Sequence, residues 1–356
     1  MKSIDNIYHA VADRRRIDPH DAVSLYQYDI ATLGVLANMR REQIVPGNEV
    51  GFVIDRIINY SNRCVAMCNF CAYHARAGKI PPYDLTMDDI LQKINELVAI
   101  GGTQVMLQGG LHPEYTLQHY INMVKTIKKH YPGIYLHSFS PSEVVHIAKQ
   151  SNCSIDDVIG SLQTAGLDSI PGASDLLVDE VRMRVSPRKI TVQQWCDVVR
   201  SIKKHGMHTT ATMTYGMGET LEQRIEHLEV VRRMQDETGI IMGFIPWSFS
   251  PKGTYMDDII PATGLDYLKT VAIARIFLDN VLYLHAGWLT EGMALAQIAL
   301  AMGANDMGGI LMEEKVVKAT GVTTTTNIEQ ICDIIINAGK VPLQRDSKYR
   351  PIRRYV

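Results

Sequence analysis

The sequence predicts an α/β fold, a (β/α)8 barrel of the TIM type with N-terminal helical and C-terminal extensions, and three observations predict it. Short apolar runs alternate with longer amphipathic segments, the pattern of a parallel sheet wrapped by helices. Eight such runs can be counted, the number that closes a barrel. The residues after several of them are polar, glycine-rich and irregular, as the carboxyl ends of barrel strands are in enzymes.

Residues 1–50 read as helices outside the barrel, opening on a charged stretch without the apolar region of a secretory signal. Strand one, residues 51–60, runs into Ser61-Asn62 and a cysteine cluster, and a helix at 87–100 follows. Strand two, 104–108, ends in Gly109-Gly110-Leu111-His112 before a helix at 117–130. Strand three, 134–139, ends in Ser140-Pro141, where Ser140 and Glu143 read as a capping box. Strands four and five are 167–170 and 208–215, the latter leading through Gly216-Met217-Gly218-Glu219 into a helix at 220–237. Strands six, seven and eight are 241–249, 282–288 and 304–309. Residues 313–356 carry a helix at 328–338 and a basic tail packed on the barrel. No linker or charge block interrupts residues 51–312, so one barrel domain is preferred over two domains or an open doubly wound sheet.

The chain has 356 residues, 36 basic and 38 acidic, for a net charge of −2. That balance gives no field to draw in nucleic acid or an anionic membrane, and a small-molecule substrate is expected. No apolar run reaches the roughly 18 residues of a spanning helix. Three of the six cysteines are packed into eight positions and three are scattered, unlike a secreted disulfide framework, so a reducing cytoplasm is expected.

Cys64, Cys68 and Cys71 place three thiols on one short loop, close enough to share a metal centre. A structural zinc site wants four ligands, with His74 available as the fourth, and three buried thiols without metal are the plainer alternative. A [4Fe–4S] cluster on three thiolates leaves one iron open to a cofactor or substrate. Cys153, Cys196 and Cys332 have no partner at ligand spacing.

The cysteine spacing, with an aromatic at Tyr73, resembles the signature of the radical S-adenosylmethionine (SAM) superfamily. Residues 55–62, 107–113, 137–141, 186–189, 244–247 and 344–346 are similar to the futalosine-pathway enzymes of menaquinone biosynthesis and their relatives in deazaflavin synthesis. Within that group they most resemble the cyclic dehypoxanthinyl futalosine synthase family. The resemblance implies a [4Fe–4S] cluster on Cys64, Cys68 and Cys71 and S-adenosyl-L-methionine on its open iron, with a flavodoxin or ferredoxin as reducing partner. It implies a 5′-deoxyadenosyl radical that takes hydrogen from ribose C4′, and addition of the carbon radical to a benzoate ring. Aminofutalosine synthase and the deazaflavin-precursor synthase are the sister activities. Tyr73 would lie beside the adenine, and Gln108, Gly109, Gly110 and Ser138 around the cofactor, with Asp175 and Arg182 near its ribose and carboxylate. Arg56, Trp247 and Trp288 offer a charged donor and flat faces to the substrate, and His112 and His137 are candidate bases. Against these stand ordinary packing for each Trp, a hydrogen-bonded core role for each His and a helix-start role for Asp175.

Overall fold

In a computed structural model, which describes residues 4–75, 78 and 80–355, strand one of the barrel is β1 (Glu49–Val53) continued by β2 (Asp55–Ile58). Arg76, Ala77 and Lys79, just past the cysteines, lie outside the described residues. β3 (Gln104–Leu107), β4 (Tyr135–Leu136), β5 (Ser169–Ile170), β6 (His208–Tyr215), β7 (Ile241–Ser248), β8 (Tyr283–Leu284) and β9 (Asp306–Gly309) follow in ring order. Regular parallel ladders join β2 to β4 and β5 to β8, and single bridges, His137 to Ser169 and His285 to Asp306, link these groups. Pairing of β9 with β1 closes the eight-stranded ring. All eight expected strands are present, several with shorter ladders than their apolar runs. Beyond the ladders the bonds continue singly, as from Ser138 N to Ser169 O.

The helices form where apolar periodicity coincides with a capping residue. α4 (Met87–Ala99), α9 (Val192–Lys204) and α10 (Leu221–Thr238) each start on a threonine whose hydroxyl and third-residue partner close a capping box. α5 (Leu117–His130), α6 (Pro141–Gln150), α7 (Ile155–Ala165), α8 (Asp179–Val185), α11 (Gly264–Phe277) and α12 (Met293–Ala299) complete the outer layer. At the N-terminus α1 (Ile4–Ala12) and α2 (Pro19–Ser24) precede α3 (Ile30–Ile44); α2 lies on α10 and α3 on α11, outside the barrel. Among the described residues no helix is long and apolar enough to cross a membrane.

The C-terminal segment differs from its expected form. After α13 (Ile328–Asn337), the expected basic tail forms β10 (Val341–Arg345), parallel to β1, and β11 (Pro351–Arg354), antiparallel to β10. Arg345 within this segment is buried at the barrel floor and bonded through Nε and Nη2 to Asp306 at 2.5 and 2.7 Å. A division at residue 312 therefore does not separate the extension from the barrel interior.

Candidate active site

Cys64, Cys68 and Cys71 are free thiols on the loop after β2, and they line a cavity of about 400 Å³ that runs down to Arg345 and Tyr349. Strand two clamps this loop. Gly110 N donates to Ser61 O at 3.0 Å, Val65 N to Leu111 O at 3.0 Å, and Leu111 N to Cys64 Sγ at 3.3 Å. A Cβ on Gly110 would sit 2.2 Å from the Arg63 carbonyl oxygen, and one on Gly109 would sit 2.4 Å from the Tyr60 ring. The glycine pair is thus required for the close approach of two strand ends, besides any contact with a cofactor.

Whether the thiols suit a cluster can be judged from their spread. Among the described residues, the trio of His, Cys, Asp or Glu with ligand atoms all within 4.8 Å of one another is Asp18, His20 and Asp21. At least one pair of the three thiols therefore stands more than 4.8 Å apart, wider than ligands gathered on one zinc ion. A four-iron cluster spans a wider triangle of thiolates, and the donor set fits it.

Tyr73 and Gln108 line the cavity with the glycine pair, and the Tyr73 hydroxyl meets that of Tyr83. Asp175 also lines it, held in the left-handed region at φ 49° and paired with Lys189 Nζ at 2.5 Å. Trp247 and Trp288 stand in the wall with their indole N–H groups committed to Thr214 Oγ1 (2.7 Å) and Gly309 O (3.1 Å). His137 lines the interior with Nδ1 2.7 Å from Ser169 Oγ. Burial, then Arg345 and His285, pushes its pKa down to about 3. Such burial disfavours the protonated imidazole.

Four expected site residues are placed elsewhere. Arg56 points out of the barrel because side chains alternate along a strand, and Asp55 and Ile57 take the inward positions. Its guanidinium reaches Glu96 (2.6 Å), Glu313 (2.7 Å) and Lys93 O (2.8 Å). His112 closes a turn: Nδ1 accepts from Glu114 N (3.1 Å) and Tyr115 N (3.2 Å), and Tyr115 stacks on its ring. Ser138 Oγ ties strands two and three, accepting from Leu107 N at 3.0 Å. Arg182 spends its donors on Ile190 O (2.8 Å) and Ser174 O (2.9 Å), and only approaches Asp175, at 3.9 Å. It positions the loop that carries Asp175.

Other cavity groups were hidden in the sequence. Glu143 is fully buried and accepts from Tyr60 Oη (2.7 Å), Ser140 Oγ (2.7 Å) and Gly109 N (3.3 Å); burial pushes its pKa up to about 7. It does occupy a helix start, with its N–H on Ser140 Oγ, and that capping pattern concealed its place in the cavity. Asp55, also raised by burial, to about 6, gave no signal within an apolar strand. The floor comes from the C-terminal extension: Arg345 on Asp306, and Tyr349 Oη 2.8 Å from His285 Nε2.

A model of the radical SAM superfamily matches residues 58–231, and a model of the CofH/MqnC C-terminal region matches residues 237–355. The cyclic dehypoxanthine futalosine synthase of Halalkalibacterium halodurans is 42% identical, covering 99% of this chain and 96% of that protein. The 5-amino-6-(D-ribitylamino)uracil–L-tyrosine 4-hydroxyphenyl transferase of Methanococcoides burtonii is 40% identical, covering 94% of this chain and 95% of that one. The crystal structure of methylornithine synthase superposes with a TM-score of 0.77 at 18% identity, covering 98% of this chain and 97% of that one, which shows the shared barrel fold. The chain therefore belongs to the radical SAM enzymes, which use a [4Fe–4S] cluster and S-adenosylmethionine, and within them to the family that includes cyclic dehypoxanthine futalosine synthase.

Proposed function

We propose that this enzyme cyclises dehypoxanthinyl futalosine in the futalosine route to menaquinone. The observation that carries the reading is the likeness to the Halalkalibacterium halodurans synthase, which runs through both the cysteine half and the extension that floors the cavity. When bound, the cluster and S-adenosylmethionine supply a carbon radical that removes the hydrogen atom from ribose C4′. The chain's own residues bind and orient. Cys64, Cys68 and Cys71 would hold the iron, and Tyr73, Gln108, Gly109, Gly110 and Asp175, which line the same cavity, would bind the sulfonium cofactor. Trp247 and Trp288, in the wall of the same cavity, would pack against the benzoate and orient it. A flavodoxin or ferredoxin is the matching class of electron donor, and a reducing cytoplasm keeps the thiols free.

The likeness to the Methanococcoides burtonii transferase favours a second reading, attack on a tyrosine-derived fragment. Reconstituted protein given dehypoxanthinyl futalosine, a chorismate-derived enolpyruvyl benzoate, or tyrosine with ribitylaminouracil separates the alternatives by mass spectrometry. Consumption of the first alone is expected. Consumption of either other substrate without the first overturns the cyclase reading.

A further inference from the structure

We propose that Asp55 accepts the proton released in the last step of ring closure, an inference that rests on the cyclase reading. Addition of the C4′ radical to the benzoate ring leaves one ring carbon with both the new C–C bond and its original hydrogen. Rearomatisation breaks that C–H bond. The bonding pair returns to the ring, the proton goes to a base, and the unpaired electron goes to a one-electron acceptor of the iron–sulfur class. The electron used to cleave the sulfonium is thereby restored, and one proton is released per turnover.

The base can be sought among the groups facing the cavity. Of its carboxylates, Glu143 is engaged by three donors, and Asp175 is paired with Lys189. Glu314 accepts from the backbone N–H groups of Val316, Val317 and Lys318. Asp55 has one short donor, Leu311 N at 2.9 Å on Oδ1, and only a long contact to Oδ2, from Gln104 Nε2 at 3.4 Å. Its second oxygen keeps accepting capacity. Of the imidazoles lining the cavity, His74 sits on the cysteine loop three residues past Cys71 and stacks on Tyr255, while His137, His208 and His285 inside the barrel are all made less basic by burial, the first and last to about 3 and 4. Strand eight also makes room for this carboxylate: a Cβ on Gly309 would lie 2.2 Å from both Asp55 oxygens. A carboxyl raised by burial to about 6 is matched to proton transfer near neutral pH.

The test compares cluster-loaded wild type with Asp55→Asn, supplied anaerobically with reductant, S-adenosylmethionine and dehypoxanthinyl futalosine. Cluster absorbance and 5′-deoxyadenosine formation are expected to persist, while the cyclic product falls about 100-fold or more. The ratio of 5′-deoxyadenosine to product therefore rises by a similar factor. In Asp55→Ala, added formate is expected to restore product without affecting wild type, and this arm decides the matter if the Asn variant fails to load its cluster. An unchanged ratio in Asp55→Asn, or no formate rescue in a cluster-loaded Asp55→Ala, overturns the role of Asp55. Failure of wild type to convert the substrate overturns the cyclase reading instead.

Discussion

Cys64, Cys68 and Cys71 stand out in the sequence because their pattern is one of short-range spacing, and the structure brings them to the cavity, whereas Arg56, His112 and Ser138 required knowledge of which way a side chain faces. Strand one is buried on both sides, so apolar alternation does not mark its inner face, and Arg56 is buried outward by Glu96 and Glu313. Alanine at Cys64, Cys68 or Cys71 is expected to abolish both cluster absorbance and activity, while alanine at Cys153, Cys196 or Cys332 preserves them; equal loss from all six contradicts the ligand assignment. Arg56→Ala removes one partner of a largely buried ion pair and is expected to cost about 3 kcal/mol in urea denaturation with KM unchanged. Glu143 has a pH signature. Its folded pKa, near 7, lies above the ordinary carboxyl value of 4.5, so between these values the native chain holds more protons and the contribution of Glu143 to stability falls as pH rises. Glu143→Gln should therefore gain stability relative to wild type from pH 5 to pH 8, and denaturation curves at the two pH values check the sign.

At the scale of elements, helices announced themselves more fully than strands. α5 spans its expected residues because periodicity and chain punctuation agree. β4, β5 and β8 have only two residues in regular pairing, and their placement depends on long-range bridges that no local pattern encodes. The hairpin of β10 and β11 was expected only as a basic tail packed on the barrel, because Pro342 and the closely spaced arginines mask its strand pattern. Its function in the fold is to carry Arg345 to Asp306. Arg345→Ala leaves that aspartate buried and uncompensated, which is expected to cost roughly 3–5 kcal/mol of stability and to raise KM by loosening the cavity floor. A melting temperature and KM both equal to wild type would remove the floor from the account.

For the molecule as a whole, the eight-strand count and the polar strand ends made the barrel legible, and family resemblance supplied the chemistry that periodicity cannot. The extent of the cavity was not legible, since it depends on an extension some 280 residues from the cysteine loop in sequence closing the opposite end of the barrel. The cavity runs from the cysteine loop at one end to a floor of Arg345 and Tyr349 at the other, and on the cyclase reading the reacting carbon of the substrate would face the sulfonium cofactor within it. The direct measurement is turnover of dehypoxanthinyl futalosine carrying deuterium at ribose C4′. Deuterium should pass into 5′-deoxyadenosine while a cyclic product lighter than its substrate by one hydrogen and one deuterium accumulates. Unlabelled 5′-deoxyadenosine, or none from a fully loaded cluster, would contradict the central claim.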